Sequence, residues 1–171
     1  MRVSRVAAIA VWLALGAVAS TVENTLTVVV FDYARTPHEI LMAAVKEGHR
    51  AFRSAGVETE WILCHPTQGC YVPEQFLPVK ILPRPLPGKP ISSNGMAFTM
   101  LCSIAEHCAA SFVFYDRVLG FAEERSAPVD VTLGYVMAHE VGHLLGLGHR
   151  PGGIMSSAFN SQEMRRAAAG W

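Results

Sequence analysis

The chain has 171 residues, and its 14 Lys plus Arg balance 14 Asp plus Glu, for a formal net charge of zero at pH 7. No basic surplus is available to follow a nucleic-acid backbone or an anionic membrane surface, so neither is expected as a partner. Once an N-terminal leader is set aside, about 150 residues remain, one domain's worth and enough to bury a core.

Met1-Arg2-Val3-Ser4-Arg5 carries two positive charges, the apolar run Val6 to Val18 follows, and Ala17-Val18-Ala19 is a small-x-small cleavage pattern. This order predicts a signal peptide over residues 1–19 and a mature single domain over residues 20–171, beginning near Ser20. An uncleaved anchor is the rival reading, but the apolar core is short for a span. No Cys follows the cleavage point to carry a lipid, and no other apolar stretch is long enough to cross a bilayer. The mature protein is therefore expected to be secreted or periplasmic, without stable membrane insertion, and a monomer.

Leu26 to Phe31 is β-branched and apolar on both faces, which suits a buried central strand. Thr36-Pro37-His38-Glu39 reads as an N-cap, a Pro at the first helical position and an early carboxylate. Ile40, Leu41, Ala44, Val45 and Phe52 fall on one helical stripe, which Gly56 ends. Val57 to Leu63 alternates as a second strand. A strand, a helix and a strand in this order predict a parallel crossover.

Four cysteines, Cys64, Cys70, Cys102 and Cys108, are an even number in an exported chain, so disulfides are expected. Three pairings are possible. Spacing favours Cys64 with Cys70 and Cys102 with Cys108, although a six-residue offset bridges neither a straight helix nor a straight strand. His65-Pro66-Thr67-Gln68-Gly69 is turn chemistry and suits closure of the first pair; Ser103 to His107 has no turn signal. Zinc binding by these cysteines is disfavoured, because neither gap has the spacing of a zinc knuckle.

Phe76 to Leu82 is a shorter strand candidate, which Pro78 demotes to an edge or a later start. Pro83 to Gly95 is a loop by composition, and a plain connector is favoured over a functional one. Met96 to Cys102 is ambiguous between helix and strand. Ala110 to Tyr115 is a strand ending at Asp116-Arg117; Phe114 and Tyr115 are expected to pack rather than to line a cleft. Ser126, Pro128 and Asp130 are start signals for a helix in which Val131, Leu133, Val136, Met137, Val141, Leu144 and Leu145 predict deep burial. A short terminal helix is expected from Ser161. His38, His49, His65 and His107 stand alone and are not expected to be ligands.

The densest chemistry lies in that buried helix and just beyond it. His139-Glu140-Val141-Gly142-His143-Leu144-Leu145-Gly146-Leu147-Gly148-His149 reads H-E-x-x-H-x-x-G-x-x-H without interruption. His139 and His143 sit about 40° apart on one helix face, one turn from each other. Two imidazoles so placed can bind one Zn²⁺, with Glu140 close enough to reach a water bound to the metal. Gly146 permits the positive φ that ends the helix and lets His149 supply a third nitrogen. Three protein ligands leave one position open, as a catalytic zinc requires; a structural zinc would have four. The short form H-E-x-x-H arises by accident, whereas the eleven-residue form is specific. Pro151-Gly152 then turns the chain, and Met155 follows in Gly153-Ile154-Met155-Ser156, as the extended motif predicts.

His139 to Met155 resembles the active-site segment of the metzincin zinc metallopeptidases. The resemblance implies that His139, His143 and His149 bind one catalytic zinc ion, that Glu140 is the general base and that Met155 forms a floor under the metal. It implies an α+β, mixed α/β zincin domain: a twisted mixed sheet, a long backing helix, an active-site helix and a minimal C-terminal subdomain. A sheet edge beside the metal would pair with an extended peptide or protein substrate, and the expected activity is endopeptidase. Three departures stand out. Ser156 and Ser157 follow Met155 where some branches place a tyrosine ligand. The short stretch between Ser20 and the first strand leaves no room for an inhibitory propeptide, which points to narrow specificity, low intrinsic activity or export to where cleavage is harmless. Arg150, just after the third His, is expected to form a salt bridge rather than to contact substrate. The alternative reading is a non-catalytic, secreted, zinc-containing module that binds peptides or proteins, and the intact Glu140 weighs against it. A metal-stabilised structural protein is opposed by the open fourth position.

Overall fold

The computed structural model describes residues 25–65, 67, 69–88, 95–101, 109–157 and 162. The predicted signal peptide, the Cys102–Cys108 pair, His107 and all but one residue of the predicted terminal helix lie outside them.

Five strands and three helices are present among the described residues: β1 (Leu26–Asp32), α1 (His38–Ser54), β2 (Thr59–Cys64), β3 (Leu77–Leu82), β4 (Ala97–Met100), β5 (Ala110–Phe114), α2 (Tyr115–Arg125) and α3 (Val129–Leu144). The sheet order is β2-β1-β3-β5-β4. Every pairing is parallel except that of β4, which runs antiparallel to β5 at the edge. The fold is therefore mixed α/β, and the strand–helix–strand opening is a parallel β1–β2 pair as expected.

Alternation along the strands decides where the helices lie. Val28, Val30, Val79, Ile81 and Val113 occupy alternate positions and share one core with Leu41 and Ala44 of α1 and Leu133, Val136, Met137 and Val141 of α3. Successive side chains of a strand point to opposite faces, so both helices pack on the same side of the sheet. The α1–α3 contact is close because Gly134 lacks a side chain: a Cβ there would stand 2.5 Å from the carbonyl oxygen of Ala44 and 2.6 Å from Glu47 Cβ. Neither obstacle is a flexible side-chain tip. Gly134→Ala is expected to cost about 1–3 kcal/mol through forced separation of the helices. A urea midpoint equal to that of the unsubstituted protein would show that the two helices separate freely.

Several local expectations are corrected. Thr36 does not cap α1: its hydroxyl bonds Asp32 Oδ1 at 3.2 Å and its N–H donates to Asp32 Oδ2 at 2.8 Å, while Pro37 takes the cap position. Asp32 thus closes the turn after β1 and competes successfully for the threonine. Pro78 lies inside the sheet rather than at its edge. It is tolerated because β5 pairs with β3 only from Val79 onward, so one side of Pro78 has no ladder to complete. Within the ambiguous stretch that begins at Met96, Ala97–Met100 forms the edge strand β4, and Cys102 lies outside the described residues. Tyr115, read as a strand residue, begins α2, a helix not expected at all; Asp116 and Arg117 lie in its first turn. Ser126 is not a start signal but the left-handed C-cap of α2, with φ 48°, and α3 begins after Pro128. Leu144 is only half-buried and Leu145 is exposed, so the burial of α3 stops at Gly142.

Cys64 and Cys70 form a disulfide with their Cα atoms 5.2 Å apart. Cys64 ends β2, and the following turn, in which Gly69 N–H reaches the carbonyl of His65 at 3.2 Å, supplies the reversal that a straight element lacks. No described helix is long and apolar enough to cross a membrane.

Candidate functional site

The C-terminal end of α3 is shaped by its cap. Leu147 N–H bonds the carbonyl of Gly142 at 3.0 Å, and Gly146 N–H bonds that of His143 at 2.9 Å. This pair of bonds is a Schellman closure, and it needs the left-handed residue that Gly146 provides at φ 82°. The chain leaves the helix sideways, and His149 returns toward His139 and His143. The next turn folds beneath them, with Arg150 N–H bonding the carbonyl of Met155 at 2.9 Å.

The three imidazoles converge through their Nε2 atoms. His143 Nε2 lies 3.0 Å from His139 Nε2 and 3.2 Å from His149 Nε2. His139 Nδ1 meets the carbonyl oxygen of Ile154 at 2.7 Å, and His143 Nδ1 meets that of Leu147 at 2.8 Å. A carbonyl only accepts, so in both rings Nδ1 carries the proton and Nε2 presents a lone pair. Lone pairs this close repel one another unless a cation lies between them. Tetrahedral zinc with Zn–N bonds of about 2.0–2.1 Å separates its nitrogen ligands by about 3.3 Å, so the donor set fits a metal ion of that size. The triad is the group of potential metal ligands found among the described residues.

Met155 is buried against α3 at Gly142. A Cβ on Gly142 would stand 2.4 Å from its sulfur, so the glycine between the two helical histidines is what lets the methionine approach. Burial grades across the triad, from buried His139 through half-buried His143 to exposed His149. Burial pushes the pKa of His139 below the ordinary histidine value; the bond to Ile154 opposes this, and His143 and His149 add to the depression.

Glu140 is 5 % exposed. Burial raises its pKa above the ordinary carboxylate value, opposed by a hydrogen bond from Thr99 and by the nearby His143. That bond joins Thr99 Oγ1 to Glu140 Oε2 at 2.5 Å. Thr99 in turn lies 2.7 Å from Ser111 Oγ. Neither hydroxyl was singled out by sequence reasoning. The available signal was a polar residue inside each of two apolar strand candidates, but only the β4–β5 register, which places Thr99 opposite Ser111, brings them to Glu140.

A cleft of about 1030 Å³ opens over the site. Its walls are β4 with flanking Met96 and Leu101, the α2 face carrying Arg117, Phe121 and Glu124, and the segment from Gly146 to His149 with Ser156 and Ser157. Phe114 is fully buried and Tyr115 half-buried, and neither lines the cleft. Burial, then the Asp32 carboxylate, push the Tyr115 phenol above its ordinary pKa. The Arg150 side chain is exposed and forms no ion pair among the described residues, against the salt bridge expected for it. Of the lone histidines, His49 bonds the carbonyl and hydroxyl oxygens of Thr59, and His65 bonds Thr67 within its own turn.

Residues 122–167 match the model of a family described as "Putative peptidase family", Metallopep. The matched stretch holds the whole triad, Glu140 and Met155. No curated protein matches the chain. The family match and the convergent histidines together support a metallopeptidase acting on a peptide or protein.

Proposed function

We propose that the protein is an exported zinc-dependent endopeptidase of metzincin type, with the mature domain starting near Ser20. The observation that carries this reading is the convergence of three imidazole Nε2 atoms beside a buried carboxylate at the floor of an open cleft. The edge position of β4, the packing of Met155 on Gly142 between the two helical histidines and the Cys64–Cys70 disulfide support the family type and an oxidising destination.

His139, His143 and His149 would hold the ion, which when bound supplies Lewis acidity to the scissile carbonyl and to the attacking water. Glu140 takes the proton of that water and passes it to the departing amine nitrogen. The outer edge of β4, unpaired among the described residues, offers backbone donors and acceptors to an extended peptide, which β-strand addition would lay along the cleft. The carbonyls of Ile154 and Leu147 hold the rings of His139 and His143 through Nδ1, so little reorganisation is needed there when substrate arrives.

The test is cleavage of a proteome-derived peptide library by residues 20–171 with zinc, read by mass spectrometry, beside the Glu140→Ala protein. Cleavages present only in the unsubstituted protein establish the peptidase and give its preferences. Silence from both, with one zinc bound per chain, would favour the binding module instead.

A further inference from the structure

Four oxygens from three elements meet beneath the cleft. Thr99 on β4 and Ser111 on β5 are register partners with their hydroxyl oxygens 2.7 Å apart. Thr99 Oγ1 stands 2.5 Å from Glu140 Oε2, and both hydroxyls lie 3.2 Å from the main-chain carbonyl oxygen of Glu140. A threonine hydroxyl has one proton to give and can accept as well. The carboxylate is the strongest acceptor within its reach and the nearest, so Thr99 donates to Oε2. Ser111, fully buried, then has the proton for the 2.7 Å contact and donates to Thr99. The hydroxyls form a directed chain from Ser111 through Thr99 to Glu140, each bond polarising the next. Among the described residues Oε1 takes no comparable bond.

We propose that Thr99 is a positioning residue for Glu140: by pinning Oε2 to the edge strand it presents Oε1 to the attacking water. It also ties the base to the strand beside which the substrate lies, so the two are held in one frame. This rests on the peptidase reading above. A threonine serving only to fill the β4–α3 contact would be replaceable by valine, which has nearly the same shape and no hydroxyl.

The experiment compares Thr99→Val and Thr99→Ser with the unsubstituted protein. In zinc-loaded protein, Thr99→Val is expected to lower kcat by about 10- to 100-fold with KM and zinc content unchanged, and Thr99→Ser to restore most of it. A second readout needs no catalysis. In the metal-free protein, the urea midpoint shift caused by Thr99→Val should shrink on a Glu140→Ala background, because its acceptor is gone. Should Thr99→Val fail to fold, Ser111→Ala takes its place; it removes the donor to Thr99 and should also lower kcat with KM unchanged. Unchanged kcat in a folded variant, no rescue by serine, or strictly additive midpoints would overturn the assignment. If the unsubstituted protein cleaves nothing, the peptidase reading fails, and the midpoint cycle alone decides whether Thr99 holds the carboxylate.

Discussion

Glu140→Ala is expected to reduce peptide hydrolysis by about a thousandfold or more while one metal ion per chain is retained, because general-base catalysis contributes roughly 10²–10⁴. The carboxylate is no part of the triad, so its loss leaves all three Nε2 donors in place. Its removal should also leave the fold standing. Burial disfavours the charged form of Glu140 in the metal-free protein, and a side chain held against that penalty is retained for chemistry more readily than for stability. Alanine at position 140 therefore separates the two roles that a single ligand substitution would confound. The measurement is a pair: initial rates on a cleaved library peptide, and zinc content by atomic absorption on the same sample. Full activity in the variant would end the base assignment. Loss of metal together with activity would instead mean that Glu140 acts as a ligand.

Much of this architecture could be read from residue order, and the failures share a cause. Apolar runs placed β1, β5 and α3, alternation placed β2 and a helical stripe placed α1, because the elements that meet in the core must be apolar where they pack. The triad was legible because its spacing follows from helix geometry plus one left-handed residue at Gly146, both local properties. What depended on distant neighbours was not legible. Thr36 looked like a cap until Asp32, four residues earlier, claimed it. Pro78 looked like an edge residue because nothing local shows that β5 begins its ladder one residue later. α2 was missed because Tyr115 continues the aromatic run of β5 without a turn residue, and its start has no side-chain cap. Thr99 and Ser111 escaped for the same reason. A hydroxyl in a strand acquires meaning only from the register that sets Thr99 opposite Ser111 and from the packing of α3 that brings Glu140 to both.

Replacing the triad members should have unequal effects, because the three histidines are bound to the fold differently. Zinc at about a hundred times its dissociation constant should stabilise the folded chain by about 2.7 kcal/mol, a rise in Tm of roughly 5–10 °C for a domain of this size. His149→Ala should abolish most of that rise and leave the metal-free Tm almost unchanged, since His149 is exposed and its ring meets just the two other imidazoles among the described residues. His139→Ala should abolish the rise and also lower the metal-free Tm, because the carbonyl of Ile154 loses its 2.7 Å partner and the turn carrying Met155 loses an anchor. That lost bond costs about 1 kcal/mol. Acidity should reproduce part of this loss in the unsubstituted protein. His139 has a folded pKa below its ordinary value of 6.5, so below that pH the unfolded chain takes up a proton that the folded chain refuses. Metal-free stability then falls as the pH descends from about 6.5 toward the depressed folded value, by linkage. Protons compete with zinc for the same lone pair at Nε2, so the zinc-induced rise in Tm should shrink over the same descent. Differential scanning fluorimetry with and without zinc across that range measures both. A zinc response indifferent to acid, or one that survives His139→Ala, would place the metal somewhere other than the three converging imidazoles.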